Sequence, residues 1–565
     1  MLKHLRSVGA LLLLASVSGG VANAIPVESV TGVENIQQNG TATGTVVDAM
    51  GPVIGASVVV KGTTNGVITD FDGNFSLQNV KKGDVIQISY VGYKTQEIVW
   101  NGSPLSVTLA EDSEMMEEVV VVGYGTQKKV NVTGAVSMVG TEAIESRPVA
   151  NVTQALQGAV PGLNLSTTNS GGMLDGGMSI NIRGTGSIGN GSVDSPLVLI
   201  DGIEGDMNSL NPNDIESVSV LKDAASASIY GSRAAFGVIM ITTKSGKAGK
   251  VKVNYSGDLR FNTATQLPDM ANSLNWATLF NAANINAGGS AIFNDETMDR
   301  IKNYLAGKYT DPSQPEYYGT TPNYENGKWN NYGSAHANTD WFKEHYKENV
   351  PSTQHNLSLS GGNEKVNWML SGSFLLQNGL IRHGKDQMNR YTFNSKIGAE
   401  LADWIRVEYS TKWTRKDYEQ PMYLTKANFF HNIARRWPTC PVVDPNGRWM
   451  AEMEIYELED GGIRDKVTDE FTQQLKFIVN PLEGWNIYLE GAMRNSNYNE
   501  KEEVIPIYNY NINDEPMLRN SDYGTRQYVT NWRGRGEYYS INAYTDYTRS
   551  FGKHNGKVLV GLNYE

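Results

Sequence analysis

The sequence is poor in the residues from which most chemistry is built. One cysteine, Cys440, stands in 565 residues, so no internal disulfide can form. The histidines at 4, 336, 345, 355, 383, 431 and 554 make neither an HExxH pair nor the close spacing of a metal site, and no metal or cofactor is expected. Lysine and arginine total 48 against 60 acids, a formal charge of −12, and no basic stripe runs along the chain, which argues against nucleic acid as a partner. Beyond residue 24 the chain lacks the apolar run of about 18 residues that a spanning helix needs. Gly184, Gly186 and Gly189 have the spacing of a dinucleotide loop, yet GNGSVDSP follows where a helix is required, so these glycines read as an ordinary loop. With no catalytic constellation in sight, an enzyme is not expected.

What is present favours turn-rich β structure: glycine is 58 and tyrosine 28, with 40% apolar residues. Residues 1–24 carry Lys3 and Arg6, an LLLL run, then Ala22 and Ala24 at signal-peptidase spacing, so they read as a signal peptide and the chain as exported. A polar linker, 25–40, follows. Residues 41–112 hold short strands (TGTVVD, GASVVVKGT, GVITDFDGNFSL, DVIQISYVGY, LSVTLA) that predict a small β-sandwich, with Asp72-Gly73 as one hairpin turn. In 113–128 an acidic stretch precedes EEVVVVGYGTQKK, whose four valines suit either a core strand or a sticky strand in a linker.

Residues 129–247 read as an α/β unit with a thin core: PLVLIDG a buried strand ending in a turn, Asn211 an N-cap before Pro212, SVSVLK and GVIMITTK two strands around the helix DAASASIYGS, which Gly231 stops. From 248 to 565 a period of two recurs. Val251, Val253, Tyr255, Leu259 and Phe261 oppose Lys252, Asn254, Ser256, Asp258 and Arg260; Ile405, Val407, Tyr409 and Trp413 oppose Arg406, Glu408, Ser410 and Lys412. Nine such stretches occur, joined alternately by long loops (262–352, GLIRHGKDQ, 415–468, 497–535) and short turns (GGNEK, LAD, NPLEG, GKHNG). That asymmetry predicts a transmembrane antiparallel β-barrel rather than a soluble sandwich. Trp404, Trp413 and Trp485 are expected in its interfacial girdles. Nine is an odd number and an open edge in lipid leaves backbone groups unpaired, so the barrel is expected to continue past residue 565.

These pieces together resemble the SusC-like TonB-dependent transporters (SusC/RagA family) of Bacteroidetes. GTVVD, PVIGASVVVKGT, TDFDGNFSL and SYVGYKTQE resemble a carboxypeptidase-regulatory-like domain. NIRGTGS, PLVLIDGI and LNPNDIESVSVLKDAASASIYGSRAAFGVIMITTKSG are similar to the plug domain. The resemblance implies a TonB box at Glu118, Val119, Val120, Val121, Val122, Gly123 and Tyr124: an unpaired β-prone strip on a tether, which a partner sheet adds as a strand. It implies that the plug charges Arg183 and Arg233 pair with acids on the inner barrel wall, with Glu216 and Lys222 as further plug contacts; the alternative is that all four are solvated. It implies an outer-membrane location in contact with lipid, an N-terminal domain and TonB box in the periplasm, TonB as partner with ExbB and ExbD supplying energy, and a SusD-like surface lipoprotein as lid. The cargo implied is a glycan or oligosaccharide, with oligopeptide as second choice. The alternative function is a surface nutrient-binding receptor or adhesin without transport.

Overall fold

In the computed structural model the described residues are 40–48, 51–90, 93–110, 119–122, 125–128, 135–147, 149–167, 173–184, 195–425, 429–519, 527–552 and 554–565. The expected signal peptide, and the linker up to its last residue, lie outside them. The chain divides into two units, meeting at Glu118 and Val119.

The first unit is a two-layer β structure. Gly40–Val47 pairs antiparallel with Asn74–Val80 and parallel with Leu105–Thr108, while the second sheet runs Gly66–Ile68, Ser57–Val60, Val85–Ser89, Gln96–Val99. Alternation sets the layers: Phe75 and Leu77 point into a core with Val46, Val58, Ile86, Ile88 and Trp100, and Asn74 and Ser76 point out. Asp72-Gly73 is a turn, with Gly73 at φ 74°, but the strands it joins belong to different sheets. The expected hairpin is therefore a corner between layers, held by the Asp70 carboxylate, which accepts from the N–H groups of Asp72 and Asn74 at 3.0 and 2.8 Å.

The second unit begins with an α/β insert whose core is not thin. Five strands order as Val136–Gly140, Ile215–Leu221, Val238–Thr243, Leu197–Ile200, Ile203–Glu204. In VIMITT, Ile239 and Ile241 join Ile144, Leu156, Ile215 and Val218 on one face, while Val238 and Met240 join Leu197, Leu199 and Leu221 on the other. Both faces are covered, as a sheet with parallel pairing requires. Of the strands the sequence did not show, Val136–Gly140 comes from about eighty residues before its partner Ile215–Leu221, and Ile203–Glu204 is only two residues long, too short for a pattern to register. Asp223 caps the short helix Ala224–Ala227 by accepting from the Ser226 N–H at 2.9 Å, and the chain continues as a 3-10 turn in which Gly231 takes φ 61°.

A nine-stranded antiparallel meander follows, each strand beside its sequence neighbour: Gly249–Asn262, Val350–Gly362, Val366–Asn378, Gln387–Ala402, Ile405–Pro421, Ile463–Leu482, Trp485–Val504, Tyr528–Phe551 and His554–Tyr564, called first to ninth below. The sheet is open between the first and ninth. Val251, Val253, Tyr255, Leu259 and Phe261 are exposed on its outer face. The strands outrun their apolar stretches: the fifth continues to Pro421 and the sixth resumes at Ile463, so the expected loop 415–468 is shorter, as is 497–535. Polar strand ends carry no hydropathy alternation and were invisible to a pattern built on it. Trp413 is not at a strand end either; it lies mid-strand, registered between Phe393 and Phe471.

The long connections are themselves folded. Helices Ser273–Asn286, Asp295–Leu305, Trp341–His345, Phe429–Ala434 and Glu454–Glu459 lie within them, and Trp341, Phe342, Phe429, Ile433, Cys440 and Met453 share a core there. Burial pushes the Cys440 thiol up to about 12, so it is a packing residue rather than a nucleophile.

Candidate functional site at the plug and the strand wall

The α/β insert is seated against the inner face of the sheet by buried polar contacts, and Asp201 is their centre. Asp201-Gly202 joins Leu197–Ile200 to Ile203–Glu204 as a two-residue turn with φ of 50° and 90°, the left-handed pair that a tight hairpin demands and that Asp-Gly adopts readily. The turn delivers a carboxylate to the wall. Asp201 Oδ1 accepts from Lys396 Nζ of the fourth strand at 2.9 Å and from the Thr243 N–H at 2.9 Å. Oδ2 accepts from Lys412 Nζ of the fifth strand and from Thr243 Oγ1 at 2.8 Å. Gln474 of the sixth strand donates to the Asp201 carbonyl at 3.0 Å. Burial by itself would raise the Asp201 pKa, but the two ammonium groups and the Thr243 hydrogen bonds outweigh it and hold the carboxyl well below its usual range.

Around this centre other wall residues reach plug backbone. Arg390, buried on the fourth strand, donates to the carbonyls of Ala150 at 2.7 Å and Asn208 at 3.2 Å. Arg494 donates to the Glu204 carbonyl, and Thr414 Oγ1 to that of Ser209 at 3.0 Å. Asn211 exchanges amide hydrogen bonds with Gln354 and Asn356 of the second strand at 2.9 and 2.8 Å. Two further ion pairs join plug and wall: Lys416 with Asp206 at 3.2 Å, exposed, and Lys466 with Asp175 at 3.1 Å, half-buried. Asp214, buried nearby, is pushed up to about 6 by that burial. Polar contacts between two preformed bodies are replaceable by water, unlike an apolar core.

Of the residues singled out from sequence, Arg233 pairs with Glu565, its Nη2 donating to Oε1 at 2.9 Å, and lies 3.4 Å from Glu204 of the plug itself. Lys222 stays within the plug, donating to the Pro161 carbonyl at 2.6 Å. Glu216 borders a cavity of about 370 Å³ between plug and wall, which Asp201, Arg233 and Lys396 also line. Arg183 takes φ 61°, its N–H donating to the Gly162 carbonyl at 2.8 Å; Asp223, held low by hydrogen bonds from Ala135 and Ser226, feels its charge as the smallest influence. Val119–Val122 is not unpaired: it pairs antiparallel with Gly125–Lys128 as a backbone hairpin. Glu118, Gly123 and Tyr124 lie outside the described residues. Asp201, Lys396 and Lys412 were missed. The Asp-Gly signal marked the turn, and period two put Lys412 on the polar face, but nothing local joins residues some two hundred positions apart.

Comparison with known proteins places these parts. Residues 128–238 match the model of the TonB-dependent receptor plug domain, and 42–121 that of the CarboxypepD_reg-like domain. The chain is 36% identical over 362 residues to the TonB-dependent receptor SusC of Bacteroides thetaiotaomicron, covering 62% of this chain and 31% of that one. It is 32% identical over 425 residues to the TonB-dependent receptor P39 of Formosa agariphila, covering 74% and 36%. Among solved structures, the RagAB peptide transporter matches with a TM-score of 0.57 at 23% identity, over 76% of this chain and 47% of that one, a likeness of fold. The chain thus spans about a third of the length of these curated relatives.

Proposed function

The chain belongs to the SusC-like TonB-dependent receptors, and we propose that it serves the active import of a large nutrient across the outer membrane. The observation that carries this reading is the seating of the plug: a folded insert held to the inner wall by an ionic centre at Asp201 and a ring of hydrogen bonds, with a small apolar contact where Ala150 and Leu174 pack on Leu375, Met388 and Tyr418. Such a stopper stays in place at rest and yields to a directed pull, because each polar contact broken is remade with water.

The pull is assigned to TonB, energised through ExbB and ExbD, acting on the strip from Glu118 to Tyr124. Four valines favour a strand, and strand addition works main chain to main chain. For the periplasmic partner to take Val119–Val122, the local pairing with Gly125–Lys128 must open. A four-residue hairpin is marginally stable in water, so this opening is cheap. The N-terminal unit stands on the periplasmic side in this reading, and a SusD-like lipoprotein caps the opposite mouth. The cargo is an oligosaccharide, with oligopeptide as the second choice, and it crosses without a bond being broken.

Deleting residues 118–124 tests the assignment. The protein should reach the outer membrane in normal amount, as read by fractionation, while energised uptake of labelled cargo falls to background. Normal uptake after the deletion would refute the coupling strip and favour a surface nutrient-binding receptor.

A further inference from the structure

On the outer side of the sheet, where the second, third and fourth strands meet their long connections, a cavity of about 770 Å³ opens. Its border is cationic: Lys343, Lys347, Arg382 and Lys385, set against Glu348 and Asp386. Arg382 is fixed in place, its Nε donating to the Glu344 carbonyl at 3.0 Å and its Nη2 to those of Lys343 and Tyr346 at 3.0 and 3.2 Å. Among the described residues nothing accepts from its Nη1 pair, so half of a planar fork suited to phosphate stands open. Lys347 forms no ion pair among the described residues, and its backbone is anchored by donation to the Leu380 carbonyl at 2.7 Å. Lys343 and Lys385 are themselves exposed, and their single ion pairs, with Asp340 at 3.1 Å and Glu419 at 2.7 Å, are of the surface kind that an anion displaces at small cost. Asp386 is turned toward the sheet, its Oδ1 accepting from the Tyr418 hydroxyl at 2.9 Å, and with Glu348 it leaves four cations against two acids at the border.

Next to this cup the outer face of the same strands is apolar. Phe374 and Tyr391 lie with ring centres 5.2 Å apart, and Phe393 and Leu357 are 42% and 48% exposed. A cationic cup continuous with an apolar stripe fits an amphiphile with an anionic head better than it fits a soluble anion. We propose that this rim binds the phosphorylated headgroup of a lipid in the outer leaflet, with Arg382 and Lys347 on the phosphate and the acyl chains along Phe374, Tyr391 and Phe393. The proposal rests on the sheet lying in the outer membrane, as the import reading has it.

The test is native mass spectrometry of the full-length protein released from nanodiscs of equal dioleoyl phosphatidic acid and dioleoyl phosphatidylcholine. Phosphatidic acid should be retained in preference. Lys343→Gln with Lys347→Gln, which leaves the Arg382 bonds intact, should cut that preference about fivefold per lysine, and Arg382→Gln should cut it further. Equal retention of the two lipids, or a preference unmoved by the lysine pair, overturns the site. Displacement of phosphatidic acid by an equal concentration of inorganic phosphate overturns the lipid as its source. Failure to enter the nanodisc at all sinks the membrane reading itself, and is seen before any lipid is counted.

Discussion

Asp201 is an acid whose neighbours decide its worth. Converting it to asparagine leaves Lys396 and Lys412 buried without a counter-charge, which costs about 3–5 kcal/mol when a buried pair is broken from one side. Asp201→Asn should therefore loosen the plug, read as leakage of a bulky antibiotic into cells carrying the variant. Asp201→Asn with Lys396→Met and Lys412→Met should restore the seal, since asparagine keeps the left-handed turn and an acceptor for Thr243 while no buried charge remains unpaired. The pH dependence has two limbs of opposite sign. Asp201 is depressed, so its contribution is present above the unfolded carboxylate value of about 4 and is lost as pH falls below that. Asp214 is raised to about 6, so the folded state prefers it protonated and gains stability as pH falls through 6. Relative to Asp214→Asn, the purified protein should gain in unfolding midpoint as the pH is taken from 7 to about 5, and relative to Asp201→Asn it should lose midpoint below about 4; a difference from Asp214→Asn that does not move with pH would remove Asp214 as the source of the upper limb. None of this was legible in the sequence. Asp201 reads there as half of a turn, and Lys412 as a polar-face residue among several.

At the scale of elements, the strand patterns were legible and their partners were not. All nine wall strands were found from period two, because one face meets an apolar medium and the other a polar one, and that contrast is written locally. The plug sheet was half seen: its buried central strands stood out as apolar runs, while one edge, Val136–Gly140, is distant in the chain and the other, Ile203–Glu204, is two residues long. The valine strip illustrates the limit: β propensity was plain, and pairing with Gly125–Lys128 was not. If the strip is captured as an added strand, its backbone N–H groups carry the bond energy, and Val121→Pro removes one donor and bends the strip. Uptake of labelled cargo should then fall at least tenfold, about 1.4 kcal/mol of lost coupling, with unchanged antibiotic exclusion. A leak in Val121→Pro would mean that the residue supports the plug instead.

The whole molecule is a set of bodies with different reasons to fold. The N-terminal unit has its own core of Val46, Val58, Leu77, Ile86, Ile88 and Trp100, and should fold alone. Residues 40–110 expressed by themselves should give a β-type circular dichroism spectrum and one cooperative thermal transition, whereas a non-cooperative melt would show dependence on the rest of the chain. The wall and the plug, by contrast, stabilise one another through side chains that neither satisfies alone, Arg390 and Asp201 above all. The sequence by itself determined the classes of structure, because hydrophobic alternation, Asp-Gly turns and helix caps act between residues a few positions apart. Only the tertiary structure decided which charges meet, that the long loops share a core, and where a cationic cup opens at the rim. Those depend on closing chain segments from about forty residues, at the cup, to about two hundred, at Asp201, and no local preference encodes which ends come together.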